Sequence, residues 1–298
     1  MVMKRLLVFL ILIMLVLTAC TSKEKTINDN EEGILVYTSF YPLYFLAEEI
    51  GGDLVEAKTI VPFGVDSHDY EPSMDQLKEL TEADIFIYNG ANFESWVDKI
   101  IDSIVEGNKA INASKYCDLI VEDGVVDPHL WLDLENMIEV GLVIRDRFIE
   151  LDEKNRVYYE ENYENLKERL VKLDNKYIEE LKDKRNDSII VSHKAFGYLA
   201  RRYGFNQIPV AGISPDQEPS PKTIANIIEL IDEKKHDYIF LETLASPKTV
   251  EVIVEETNLE VLVLNPIENL TEEEIESGQD YITIMEKNLE NLKKALVK

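Results

Sequence analysis

From residue 34 onward, short apolar runs alternate with longer amphipathic stretches. ILVYTS (34–39), Val55 to Val61 and DIFIYNG (84–90) are rich in Ile, Val, Tyr and Phe and end at Pro, Gly or Asn, so they read as strands. Between them, FYPLYFLAEEIGGD (40–53) reads as a helix ended by Gly51-Gly52. EPSMDQLKELTEAD (71–84) reads as another, with Ser73 as its N-cap. FESWVDKIIDSIVEGNKAINAS (93–114) continues the cycle, and from Asp133 the apolar positions Met137, Val140, Ile144 and Phe148 recur at helical spacing. Strand and helix in alternation predict an α/β fold of parallel sheets flanked by helices.

Asn155 to Lys184 contain neither Gly nor Pro, and Val157, Tyr158, Leu166, Leu170, Leu173, Tyr177 and Leu181 fall on roughly one face. A helix of about 30 residues at 1.5 Å each would span about 45 Å, longer than one small domain. It reads as a rigid connector between two lobes. The second half then repeats the plan of the first: SIIVSHKAFGYLARRYG, QIPVAGIS, PKTIANIIELIDEKK, DYIFLET, SPKTVEVIVEETN and VLVLNPIENL alternate strand and helix. Glu71-Pro72-Ser73 leading to DIFIYNG is echoed by Glu218-Pro219-Ser220 leading to DYIFLET, which argues for two similar lobes with a cleft between them. The expected division is 34–153 for the first lobe, 154–185 for the connector and 186–298 for the second, with DYITIMEKNLENLKKAL as a closing helix docked on the second lobe.

The start of the chain suggests an address. Lys4 and Arg5 precede an apolar run from Leu6 to Leu17, too short for a membrane span of roughly 20 residues but suited to the core of a signal peptide over 1–19. Leu17-Thr18-Ala19-Cys20 resembles the bacterial lipobox, in which Cys20 becomes the lipidated first residue; an ordinary signal peptide or an uncleaved anchor is the plainer alternative. Residues 20–33 are polar and read as a flexible tether. If Cys20 carries lipid, Cys117 has no partner, so stability must come from the core rather than a disulfide. The formal charge of −27 argues against nucleic acid or an anionic membrane surface as partner.

Only four histidines occur, and three sit in loop-like contexts beside apolar runs: His68 in VPFGVDSHDYEPS, His129 in VVDPHLWLDL and His193 in SIIVSHKAFGYLA. A single histidine is usually a satisfied core or surface residue; three of four at such positions argue for ligands. His236, in EKKHDY, reads as a solvated helix end. Glu268 in VLVLNPIENLT supplies a carboxylate, and three imidazoles with one carboxylate suit tetrahedral Zn(II) with no position left for chemistry. Two of these donors come from each lobe, so a bound metal would staple the cleft shut. Glu71 and Glu218 are further candidates, as ligands or as carboxylate partners of a ligating imidazole, although both also suit a helix start.

SHDYEPS, NGANFESW, DPHLWLDL, SHKAFGYLARRYG, GISPDQEPSP, FLETLASPKTVE and LNPIENLT span nearly all of the chain beyond the tether. Together they resemble the zinc and manganese solute-binding lipoproteins of bacterial ABC importers. The resemblance implies two α/β lobes joined by a long helix that limits hinge motion, and His68, His129, His193 and Glu268 as the metal ligands. It also implies a monomeric, lipid-anchored, extracytoplasmic receptor that is not an enzyme and whose partners are an ABC permease and its ATPase. Manganese members tend to carry Glu in place of the third His and Asp in the last position; His193 and Glu268 therefore favour Zn(II) over Mn(II) or iron. The histidine-rich loop of many zinc receptors has no counterpart in CDLIVEDGVVDPH, so no auxiliary metal-collecting role is implied. A zinc hydrolase is the rival class, but no His-Glu-x-x-His, Gly-x-Ser-x-Gly or phosphate-cradling loop occurs. A surface adhesin, the third reading, would require an exposed adhesive patch.

Overall fold

The computed structural model describes residues 33–104, 109–215, 217, 219–234, 236–244 and 248–297. The expected signal peptide, Cys20, the tether up to residue 32, and Glu218 lie outside the described residues.

The first half builds a parallel sheet from β1 (Ile34–Thr38), β2 (Val55–Thr59), β3 (Ile85–Tyr88) and β4 (Ala110–Asn112), ordered β2-β1-β3-β4. The second half repeats this with β7 (Ser188–Val191), β8 (Asn206–Pro209), β9 (Tyr238–Leu241) and β10 (Glu260–Val263), ordered β10-β9-β7-β8. Every residue of the central strand β7 is buried, as helices on both faces of a parallel sheet require. A small antiparallel hairpin, β5 (Val121–Glu122) and β6 (Val125–Val126), was not expected. Two residues per strand are too few to produce a readable alternation.

Helices α1 (Tyr41–Gly51), α2 (Met74–Leu80), α3 (Val97–Ile104) and α4 (Leu134–Leu151) belong to the first half. Ser73 caps α2 through a capping box with Gln76, as its position suggested. Gly52 ends α1 at φ +49°, where a Cβ would lie 2.3 Å from the Tyr158 hydroxyl, so only glycine lets the next long helix pass this closely.

That helix, α5 (Arg156–Glu180), has 25 residues and is therefore about 37 Å long, shorter than expected because it starts after a 3-10 turn at residues 153–155 and ends at Glu180, four residues before Lys184. Its buried face runs Tyr159, Tyr163, Leu166, Leu170, Leu173 and Tyr177, then Leu181 beyond its end. Val157 is 63% exposed and Tyr158 half-buried, contrary to expectation. Stepping back from Leu166 by three and then four lands on Tyr163 and Tyr159, so the first two positions were one face out of phase.

Helices α6 (Gly197–Tyr203), α7 (Pro221–Lys234), α8 (Lys248–Glu256), α9 (Glu272–Glu276) and α10 (Tyr281–Leu296) complete the chain. The closing helix α10 does more than dock on the second sheet. The Tyr177 hydroxyl of α5 donates to the Met285 carbonyl at 2.6 Å, while the Tyr281 hydroxyl donates to the Trp131 carbonyl and the Tyr281 ring stacks on Phe45.

One apolar core runs through both halves, joining Val36 and Ile85 to Ile189, Val191 and Phe240. Separate clusters fill the outer faces, around Phe86 and Trp96 in the first half and Ile190, Ile227 and Ile253 in the second. Among the described residues no helix is long and apolar enough to cross a membrane.

Candidate metal centre

His129 follows Asp127-Pro128, a pair that breaks any regular element, and is completely buried. Its backbone N–H donates to Asp127 Oδ1 at 3.0 Å, and its Nδ1 lies 2.8 Å from the same oxygen. His193 follows β7, also completely buried, and is held in the same manner by Glu242 at the exit of neighbouring β9. Its Nδ1 is 2.6 Å and its backbone nitrogen 3.2 Å from Glu242 Oε1, which also accepts from the Ser192 hydroxyl. Each carboxylate thus takes the Nδ1–H of its imidazole and leaves Nε2 as a free lone pair aimed inward.

His68 reaches the same point from the irregular segment after β2. That segment is tied to the loop carrying Glu268: the Gly64 amide donates to the Leu270 carbonyl, Ser67 Oγ to the Glu268 carbonyl, and Asn269 Nδ2 to the carbonyls of Pro62 and Val65. Buried Phe93 stands edge-on to the His68 ring, and Trp131 packs beside His129. These rings keep water from the histidine side.

The structure brings His68, His129, His193 and Glu268 together with their donor atoms within 4.8 Å of one another. Nε2 of His129 and His193 are 3.3 Å apart, His68 Nε2 is 3.2 Å from Glu268 Oε1, and the other two Nε2 atoms are each 3.7 Å from that oxygen. Four donors at about 2.0 Å from a tetrahedral cation are spaced about 3.3 Å apart, so these four edges lie close to what Zn(II) requires. Four protein donors would fill the coordination sphere, which suits holding a cation rather than activating a water.

The electrostatics agree with the geometry. Burial alone would raise the Glu268 carboxyl, but the facing imidazoles outweigh it and hold the group down at about 2. Burial depresses His68 and His193, yet Glu268 for the first and Glu242 for the second draw both above the ordinary imidazole value. For His129 burial prevails over Asp127 and the shift is downward. The Glu268 carboxylate is thus held ionised, the form in which it can act as a ligand.

Glu71 is not part of this group. Its side chain is 63% exposed, 3.6 Å from Lys99 Nζ, because it stands at the solvent-facing start of α2. The carboxylates that orient the imidazoles are Asp127 and Glu242, neither singled out from the sequence: the place of Asp127 two residues before His129 was the one available clue, whereas Glu242 meets His193 only once β9 pairs with β7. His236 lies apart, 3.5 Å from Ser188 Oγ, as expected for a residue outside the cluster.

Comparison with known proteins points in one direction. The family model described as zinc-uptake complex component A, periplasmic, matches residues 36–295. The zinc-binding lipoprotein AdcA of Streptococcus pneumoniae R6 is 32% identical over 295 residues, which cover 94% of this chain but 58% of AdcA, so the chain spans little more than half the length of that relative. The high-affinity zinc uptake system protein ZnuA of Bacillus subtilis is 32% identical over 301 residues, covering 95% of this chain and 94% of ZnuA. The crystal structure of the Zn(II)-bound ZnuA-like domain of S. pneumoniae AdcA superposes with a TM-score of 0.80 at 34% identity, over 90% of this chain and all of that domain.

Proposed function

Because the chain belongs to the zinc-uptake complex component A family, we propose that it is an extracytoplasmic receptor that captures Zn(II) and hands it to an ABC permease driven by its ATPase. The observation that carries this reading is the convergence of His68, His129, His193 and Glu268, with their donor atoms within 4.8 Å of one another. The names of its relatives, a zinc-binding lipoprotein and a zinc uptake protein, support the choice of cargo. The donor set supports it too, since three imidazoles and one carboxylate suit Zn(II) better than Mn(II), which prefers more oxygens.

The same reading assigns residues 34–153 and 186–298 to two lobes and 154–185 to the connector, with a monomer held at the membrane through lipid on Cys20. Catalysis has no place in it, because no coordination position remains for a substrate or water.

The test is metal analysis of protein purified without added metal, followed by competition between Zn(II) and Mn(II). One tightly bound zinc per chain, four protein ligands by X-ray absorption and no exchangeable water are expected. His129→Ala should fold yet lose high-affinity zinc. A five- or six-coordinate site with bound water, or preferential retention of manganese, would overturn the assignment.

A further inference from the structure

Ile267, the residue before Glu268, has φ +58°, a left-handed backbone that β-branched side chains strongly disfavour. Its side chain is nevertheless completely buried in the core, so the surrounding structure must hold it there. The peptide before it is held at its carbonyl by Trp131 Nε1, at 2.7 Å, and at its amide by Asn265. The Ile267 amide donates to Asn265 Oδ1 at 2.7 Å, across the intervening Pro266.

Asn265 is itself fixed from three sides. Its backbone N–H donates to Asn288 Oδ1 at 2.9 Å, its carbonyl accepts from Asn288 Nδ2 at 2.7 Å, and its Nδ2 donates to Glu274 Oε1 at 2.8 Å. Glu274 Oε2 in turn accepts from the Thr271 amide and hydroxyl. Asn265, Asn288 and Glu274 are all buried and belong to β10's exit and to helices α10 and α9, so none is among the four donors. Satisfied polar groups this deep specify one backbone path rather than several.

We propose that Asn265 is a positioning residue for the metal centre: by holding Ile267 left-handed, it turns the chain so that the Ile267 side chain enters the core while the Glu268 carboxylate faces the three imidazoles. Relaxation of Ile267 to the ordinary right-handed region would rotate φ by about 120° and carry Glu268 off that line. This inference rests on the metal-site reading above.

The experiment is a double-mutant cycle on the full chain, read as Zn(II) affinity by chelator competition. Glu268→Ala tests the site itself and is expected to weaken zinc binding strongly. Asn265→Ala is expected to weaken it about tenfold, and to cause no further loss when added to Glu268→Ala, because its effect passes through that carboxylate. Ile267→Gly removes the penalty for left-handed backbone, so Asn265→Ala in that background should cost less than about twofold. Amide exchange on the metal-free protein supplies a readout independent of zinc: Asn265→Ala should deprotect the Ile267 amide while β7 and α5 stay protected. Should Ile267→Gly unfold, the Glu268 cycle and the exchange data still decide.

Equal zinc loss from Asn265→Ala with and without Glu268, or unchanged affinity when Glu268→Ala lowers it, would overturn the inference and leave the metal site standing. Unchanged affinity in Glu268→Ala alone would remove the metal site, and this inference with it.

Discussion

Asp127 and Glu242 show how far single residues shape this centre without belonging to its four donors. Each accepts both the backbone N–H and the Nδ1–H of one histidine, so each fixes a ring orientation and a tautomer together. Asp127→Asn and Glu242→Gln would present an amide able to donate toward Nδ1 and so favour the wrong tautomer. Zinc affinity should fall by about 10- to 100-fold in each, with the fold intact. Unchanged affinity in chelator competition would show that the rings are held by packing alone. His68, His129 and His193 stood out in the sequence because only four histidines occur and three lie in loop-like contexts, whereas Glu268, one of 58 acidic residues, was set apart by the resemblance carried in LNPIENLT; the structure brings the four side chains together. The carboxylate behind each ring was not legible, because Glu242 meets His193 only through the pairing of β7 with β9, and Glu71, which suited the role on paper, faces solvent beside Lys99.

Another buried carboxyl, away from the metal donors, makes a prediction about pH. Burial raises Glu94 from its ordinary 4.5 to about 7, although the Ser39 hydroxyl and the Asn89 and Gly90 amides all donate to it. A folded-state value above the unfolded one means that the native protein retains the proton longer. The associated stability is full below pH 4.5 and is lost as pH rises through about 7. The stability difference between wild type and Glu94→Gln should therefore shift against wild type by on the order of 3 kcal/mol across that window. Denaturant unfolding at several pH values checks it, and a constant difference would show that Glu94 titrates normally.

Among the elements, the long helix α5 is the clearest case of a pattern read correctly in kind and wrongly in phase. Its length and polarity announce an amphipathic helix, but β-branched Val157 at the first turn looks like core and is solvent-exposed. What decides is the run of buried positions from Tyr159 to Leu181, visible only once the helix has somewhere to pack. Leu170→Ala should cost about 2–5 kcal/mol, since Leu170 is buried in the core shared by both halves. Val157→Ala should stay within about 0.5 kcal/mol. Comparable losses at the two positions in thermal unfolding would put the buried face elsewhere. The strands were legible for the opposite reason: β3 and β7 are so uniformly apolar that no other element suits them, whereas the β5–β6 hairpin carries exposed Val121 and Val125 and owes its form to pairing alone.

For the whole molecule, the question is whether the halves separate when metal leaves. The apolar core is continuous between them, and buried hydrogen bonds cross the junction without passing through the donors: Trp131 Nε1 to the Pro266 carbonyl at 2.7 Å, and the Tyr198 hydroxyl to the Asp127 carbonyl at 2.8 Å. At Gly197 a Cβ would sit 2.5 Å from Asp127 Oδ2, so the helix after His193 presses directly on the carboxylate behind His129. Arg202 adds a fork of charge-assisted hydrogen bonds to Asp174 on α5, with an ion pair to Asp133 at the start of α4. Metal removal should accordingly leave one cooperative unfolding unit rather than two. Zinc at a hundredfold excess over its dissociation constant adds about 2.7 kcal/mol, which for a protein of this size raises Tm by roughly 5–10 °C. Calorimetry on chelator-treated protein should show a single transition that moves up with added zinc. Two separate transitions in the metal-free state would mean that the cation, not the shared core, holds the halves together.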